Sequence, residues 1–225
     1  MKKIKLIIAC IAAILLVTGV LVLSLINSKA SNRANTEDVL FGLTPELNSF
    51  TEKTAEAEGN NDDDNKAVAK IEDTIITKES FDSYKALWKA ADKVPSDSEL
   101  LDKIIRNEAV YINALKEGIT VSDEDLEKAL QEQKNSYSSD EEIKNTIDAL
   151  SESLNITVDQ YWERLKPAVK KVMIRGKYKD KIKKNFMSEN IDYAPGNDFR
   201  DKFNKYYEDK ISDLMKNMKI EKYID

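Results

Sequence analysis

Carboxylates, lysines and aromatic rings are the chemistry-bearing side chains this chain holds in quantity. Its 225 residues include no histidine and one cysteine. Without imidazole there is no Ser-His-Asp or Cys-His relay, no histidine metal site and no imidazole acid–base chemistry. Six glycines are scattered and form no phosphate-binding loop. Carboxylate pairs abound, but each lies at the start of an expected helix, where acids suit the positive end of the helix dipole. Asp62, Asp63 and Asp64 lack the loop glycine and the bidentate glutamate of an EF-hand, so no metal site is expected. Cys10, being alone, makes no intramolecular disulfide. The chain therefore reads as a non-enzyme without a cofactor.

Two constellations point to binding instead. Tyr84, Leu87, Trp88, Tyr161, Trp162 and Met173 could line an apolar, adaptable groove for unfolded polypeptide. The competing reading makes each of them ordinary core. A basic run from Lys170 to Lys184, with Lys170, Lys171, Arg175 and Lys177 as candidate contacts, would suit an anionic partner. The competing reading is a solvated helix end whose cations answer the dipole and nearby acidic turns. Nucleic acid is not expected as a partner. The formal charge is −6, and past residue 30 the 41 acids face only 31 bases, because Lys2, Lys3, Lys5 and Lys29 precede that point.

Three regions must position these residues. Residues 1–30 hold a basic start and an uncharged apolar run, residues 6–26, about 31 Å long as a helix and so able to span a bilayer. The lysines place the N-terminus in the cytoplasm and the rest of the chain outside it. Ser28-Lys-Ala30 has the form of a signal-peptidase site, which leaves secretion after cleavage near Ala30 as the alternative. The length of the apolar run favours an uncleaved anchor. Residues 31–66 are a flexible, acidic linker with nine acids and two bases before Lys66, and one small apolar cluster, Val39–Leu43.

Residues 67–225 carry the order. A short strand, a tight turn at Glu72-Asp73 and a second extended piece open the domain. Thr77 caps a helix to about Lys93, which Val94-Pro95 stops. Capping boxes at Ser96–Glu99, Ser139–Glu142 and Thr157–Gln160 start further helices. Gly118 closes one helix, and Ser122 opens the next, expected to end near Gln133. Val121 and Leu126 are spaced as a hydrophobic staple. Asn155 is a left-handed stop. The longest helix reaches about Phe186, with Trp162, Leu165, Val169, Val172 and Gly176 on one face and a kink at Pro167. Residues 192–197 form a loop, a last helix runs from about Asp198 to Asn217, and the tail after Lys219 pairs with Val68–Ile71 as an edge strand.

The phrases AVAKIEDTIITKESFDSY (67–84), LLDKIIRNEAVYINALKEGITVSDEDLEKAL (100–130), LNITVDQYWERLKPAVKKVMIRGKYKDKI (154–182) and the closing MKNMKIEKYID resemble the N-terminal chaperone domain of SurA/PrsA-type extracytoplasmic foldases. The resemblance covers residues 67–187 and the last thirty. It departs at Glu72-Asp73, where the family usually has a turn like Asn-Gly. It departs again at 186–198, too short for the parvulin prolyl-isomerase domain that members often carry. The expected fold is mostly α: the anchor and acidic linker read above, then a helical domain with a long kinked helix and a minor β pairing, for which the resemblance implies the chaperone part alone with the C-terminal helix folding back onto it. It implies a membrane-anchored protein that buries apolar segments of unfolded or newly exported polypeptide in a cradle between the first helix and the long helix, without catalysis. The alternative is a structural or regulatory protein using that cradle for one membrane or envelope partner. The oligomeric state is not legible.

Overall fold

A computed structural model describes residues 66–90, 95–153, 156–189 and 197–224. The expected anchor at 6–26, the acidic linker, Val94, the stop at Asn155 and most of the 192–197 loop lie outside these residues. Among the described residues, no helix is long and apolar enough to cross a membrane.

The fold is mostly helical with one small sheet. Strands β1 (Ala67–Ile71) and β2 (Thr74–Thr77) form an antiparallel hairpin with Ile71 opposite Thr74 and Ala69 opposite Ile76. Glu72 turns the chain with φ of 51°, a left-handed conformation usually left to asparagine or glycine. β3 (Ile220–Lys222) pairs with the other side of β1, giving the order β2-β1-β3. The expected tie between the C-terminus and the domain's start is therefore present. The Lys219 carbonyl accepts from the Glu72 N–H at 2.8 Å, and the Tyr223 N–H donates to the Val68 carbonyl at 2.9 Å.

Six helices follow β2 or precede β3: α1 (Lys78–Ala90), α2 (Asp97–Lys116), α3 (Asp123–Ser139), α4 (Glu141–Ser153), α5 (Val158–Glu189) and α6 (Asn197–Lys216). The Thr77 hydroxyl accepts from the Ser80 N–H at 3.2 Å, and Ser96 with Glu99 makes the full capping box of α2. Gly118, at φ 74°, ends that helix. Its N–H donates to the Leu115 carbonyl, and the Ile119 N–H reaches back to Ala114, the two bonds of a Schellman stop. Ser122 accepts from the Asp125 N–H at 3.1 Å, while Val121 and Leu126 are both buried as the staple requires. Thr157 and Gln160 exchange their two capping bonds at 3.2 and 2.8 Å.

Three boundaries differ from the sequence reading. α3 runs six residues past Gln133, because Tyr137 packs its ring edgewise on Trp162 and keeps that last turn helical. The cap of α4 is consequently Asp140 and not Ser139: the Asp140 carboxylate accepts from the Ile143 N–H at 3.1 Å. One residue thus ends α3 and starts α4. α5 extends to Glu189 and continues through Pro167. Its buried face shifts between Val169 and Ile174, since its first half lies under α3 and α4 and its second against α2 and α6. Gly176, expected on the apolar face, is exposed in consequence.

Two cores result. Val68, Ala69, Ile71 and Ile76 from the sheet meet Phe81 and Tyr84 of α1 and Leu100, Leu101, Ile104 and Ile105 of α2. The second core gathers α3 to α6 around Val110 and Ala114, further along the same α2. Ile104 is almost wholly enclosed in the first core. Ile104→Ala should therefore lower unfolding stability by about 3 kcal/mol in urea titration, the usual cost of a buried aliphatic truncation.

Candidate functional site

The aromatic groove does not assemble as expected. Tyr84 is fully buried in the sheet-side core. Tyr161 and Trp162, 0% and 3% exposed, lie in the other core with rings 5.0 Å apart and edge to face. α1 packs on the sheet and on α2, so Tyr84 and Trp162 serve different cores rather than two walls of one cradle. Met173 is partly buried against the second core. The side chains of Leu87 and Trp88 lie outside the described residues. As candidates for contact with a partner, Tyr84, Tyr161 and Trp162 are corrected to core: their stripes are apolar enough to be covered, and neighbouring helices cover them.

Four lysines of the basic run meet carboxylates within the fold. Lys170 lies 3.8 Å from Asp123, and Lys177 lies 3.2 Å from Asp125 and 3.3 Å from the Thr120 carbonyl. Lys181 reaches Glu117 at 2.7 Å, and Lys166 reaches Glu127 at 2.9 Å. The helix corner around Gly118 and the acidic first turn of α3 thus face the lysines of α5. Arg175 is half-buried and engaged in the fold. Lys171 goes further inward. Its Nζ lies 2.9 Å from Glu108, whose side chain is 4% exposed, and 4.9 Å from the Tyr111 ring centre. The solvated-helix reading is the better description of this patch, because Lys170, Lys171, Lys177 and Lys181 each meet a carboxylate of α2, of its cap or of α3.

Several polar groups escaped the sequence reading. The Asn113 amide donates to the Tyr178 hydroxyl and to Glu117, both at 2.8 Å. Burial would raise the Glu117 pKa, but the bonds from Lys181 and Asn113 together hold its carboxyl below the usual range. The Tyr137 hydroxyl donates to Asp148 at 2.7 Å, which, with some burial, pushes its pKa up to about 12. Burial raises the Tyr161 phenol as well. Gln133 and Ser151 are buried, and among the described residues the Gln133 amide and the Ser151 hydroxyl have no hydrogen-bond partner. Nothing in the sequence marks them, since a glutamine near a helix end reads as solvent-facing.

Ile75, Leu115 and Tyr223 are exposed singly, and a partly exposed aromatic cluster lies where α5 and α6 meet. Phe186 packs on Phe199, Phe203 and Tyr206 with ring centres 5.0 to 5.8 Å apart. Met187, which follows Phe186 on α5, is 50% exposed, and Phe199 and Tyr206 are partly exposed. Lys183 lies over the Phe199 ring at 5.9 Å and Lys210 over Tyr206 at 5.2 Å. Sequence reasoning placed these rings on a helix face but could not say which side remains open. Among the described residues, no group of three metal-ligating side chains could hold an ion. No family model matches the chain, and no curated protein or solved structure does either.

Two outcomes follow from the buried polar groups. Lys171→Met leaves the Glu108 carboxylate buried without its cation and should cost about 3 kcal/mol in chemical denaturation, while adding Glu108→Leu should recover most of it. Tyr137 and Tyr161 hold their protons more tightly folded than unfolded, so the unfolded chain loses protons first as pH rises. Stability should fall from about pH 10, the ordinary tyrosine value, upward through about 12. Tyr137→Phe should flatten that fall in thermal melts taken across the range.

Proposed function

We propose that this chain is a membrane-tethered, extracytoplasmic, chaperone-like protein that binds unfolded or newly exported polypeptide without catalysis. The sequence phrases that resemble the N-terminal domain of SurA/PrsA-type foldases support this reading. So does the layout in which a β-hairpin opens the domain and the C-terminal strand returns to it. Residues 6–26 are the proposed anchor, and the acidic linker sets the domain off from the membrane.

The observation that carries the reading is the α5–α6 end. Met187, Phe199 and Tyr206 present adaptable apolar surface there, with lysine stems beside the rings. Methionine and aromatic side chains accommodate varied apolar segments, and lysines keep the rim hydrated. The proposed client contact is this end, in place of Tyr84, Tyr161 and Trp162. Burial and release of an apolar segment there requires no nucleotide.

The full-length protein, purified in mild detergent, should suppress light scattering by two unrelated unfolded proteins. Met187→Asp should weaken the apparent affinity about tenfold with the circular dichroism spectrum unchanged. Protection of neither protein would overturn the reading. Stoichiometric capture of a single envelope partner, with no general protection, would establish a dedicated interaction protein instead.

A further inference from the structure

We propose that the α5–α6 end is occupied, when no other polypeptide holds it, by the chain's own linker segment Glu37–Leu47. The same surface serves as the proposed client contact above, so docking of the linker would make it self-competing.

Complementarity of charge is the first argument. Residues 183–206 carry Lys183, Lys184, Arg200, Lys202 and Lys205 against Glu189, Asp192, Asp198 and Asp201, a net charge of +1 on a chain whose total is −6. The segment Glu37-Asp-Val-Leu-Phe-Gly-Leu-Thr-Pro-Glu-Leu47 carries three acids and no base. Its carboxylates flank the densest apolar run of the linker, Val39 to Leu43. An apolar centre with acidic flanks is the counterpart of the exposed Met187 and of Phe199 with Lys183 over its ring.

Chain length is the second argument. Eighteen residues lie between Leu47 and Lys66, where the described chain begins. They span about 25 Å as a flexible coil and about 60 Å fully extended. Lys66 precedes β1, and β1 packs on α2. α2 holds α6 through the two-pronged Arg106–Glu208 pair. From Glu208 to Phe199 α6 runs nine residues, about 13 Å. The linker is thus long enough to reach the α5–α6 end and short enough to raise its local concentration to about millimolar. At that concentration, a contact with a dissociation constant of about 100 µM is filled about nine-tenths of the time.

The test is a cross-link in the full-length chain in detergent, with Cys10→Ser and two new cysteines, Thr44→Cys and Ser188→Cys. A short bis-maleimide should join them within one chain about tenfold faster than in a control that pairs Thr44→Cys with Glu141→Cys. Adding Leu40→Asp and Phe41→Asp, or about 1 M salt, should bring the rate down to that of the control. Equal rates for the two pairs would overturn the proposal. Links found only between separate chains would overturn it too, and would assign the surface to a second copy. No client enters this measurement, so it can fail while aggregation suppression succeeds, or the reverse.

Discussion

One helix has to belong to two cores at once, and that constraint organises the molecule. Leu100, Leu101, Ile104 and Ile105 near the start of α2 close the core under the sheet, while Val110 and Ala114 near its end enter the core shared by α3 to α6. A helix that buries apolar side chains along its length, on different sides, has little room for polar ones. Glu108 is the exception, and it is matched by Lys171 from α5. The pair lies between the two cores in sequence, at a level where an unmatched charge would be costly to bury. The sheet, α1, α5 and α6 all take their positions from α2.

The corner after α2 extends this control to the rest of the chain. Gly118 permits a Schellman stop, Ser122 starts α3 at once, and the acids of that first turn point at the lysines of α5. Each exposed pair contributes little by itself and is weakened by salt. Together they fix the rotation of α5 about its axis, and with it the side chains that α5 offers to each neighbour. The basic run of α5 is therefore mainly part of this internal match.

That distribution separates the apolar surface into two kinds. Tyr161, Trp162, Leu165 and Val169 are covered by α3 and α4, which close over them through Leu126, Leu130, Ile143 and Ile147. Phe199 and Tyr206 stand where α6 packs against Phe186 near the end of α5, and Met187 is exposed on that last stretch. A helix of 32 residues is longer than α2 or α6 can cover, so its end retains partly exposed apolar side chains. The proposed binding surface is thus a consequence of unequal helix lengths rather than of a dedicated groove.

Local chemistry was enough to read most elements from the sequence. The capping boxes at Ser96 and Thr157, the stop at Gly118 and the strand at Ile220 rest on bonds between residues a few positions apart, or on a pattern of period two. The α3–α4 boundary was misplaced because its choice between Ser139 and Asp140 depends on Tyr137 meeting Trp162, a contact 25 residues away in sequence. The site was less legible than the fold, for the same reason. An aromatic stripe states only that one side of a helix avoids water; whether another helix or an open surface meets it depends on how the helices stack. The sequence by itself determined which residues are apolar, where helices start and stop, and the overall charge. Only the tertiary structure decided that Tyr84, Tyr161 and Trp162 are enclosed, that Lys170 and Lys177 have partners, and that Met187 does not share their burial. Burial and pairing are properties of distance in space, which local sequence preferences do not specify.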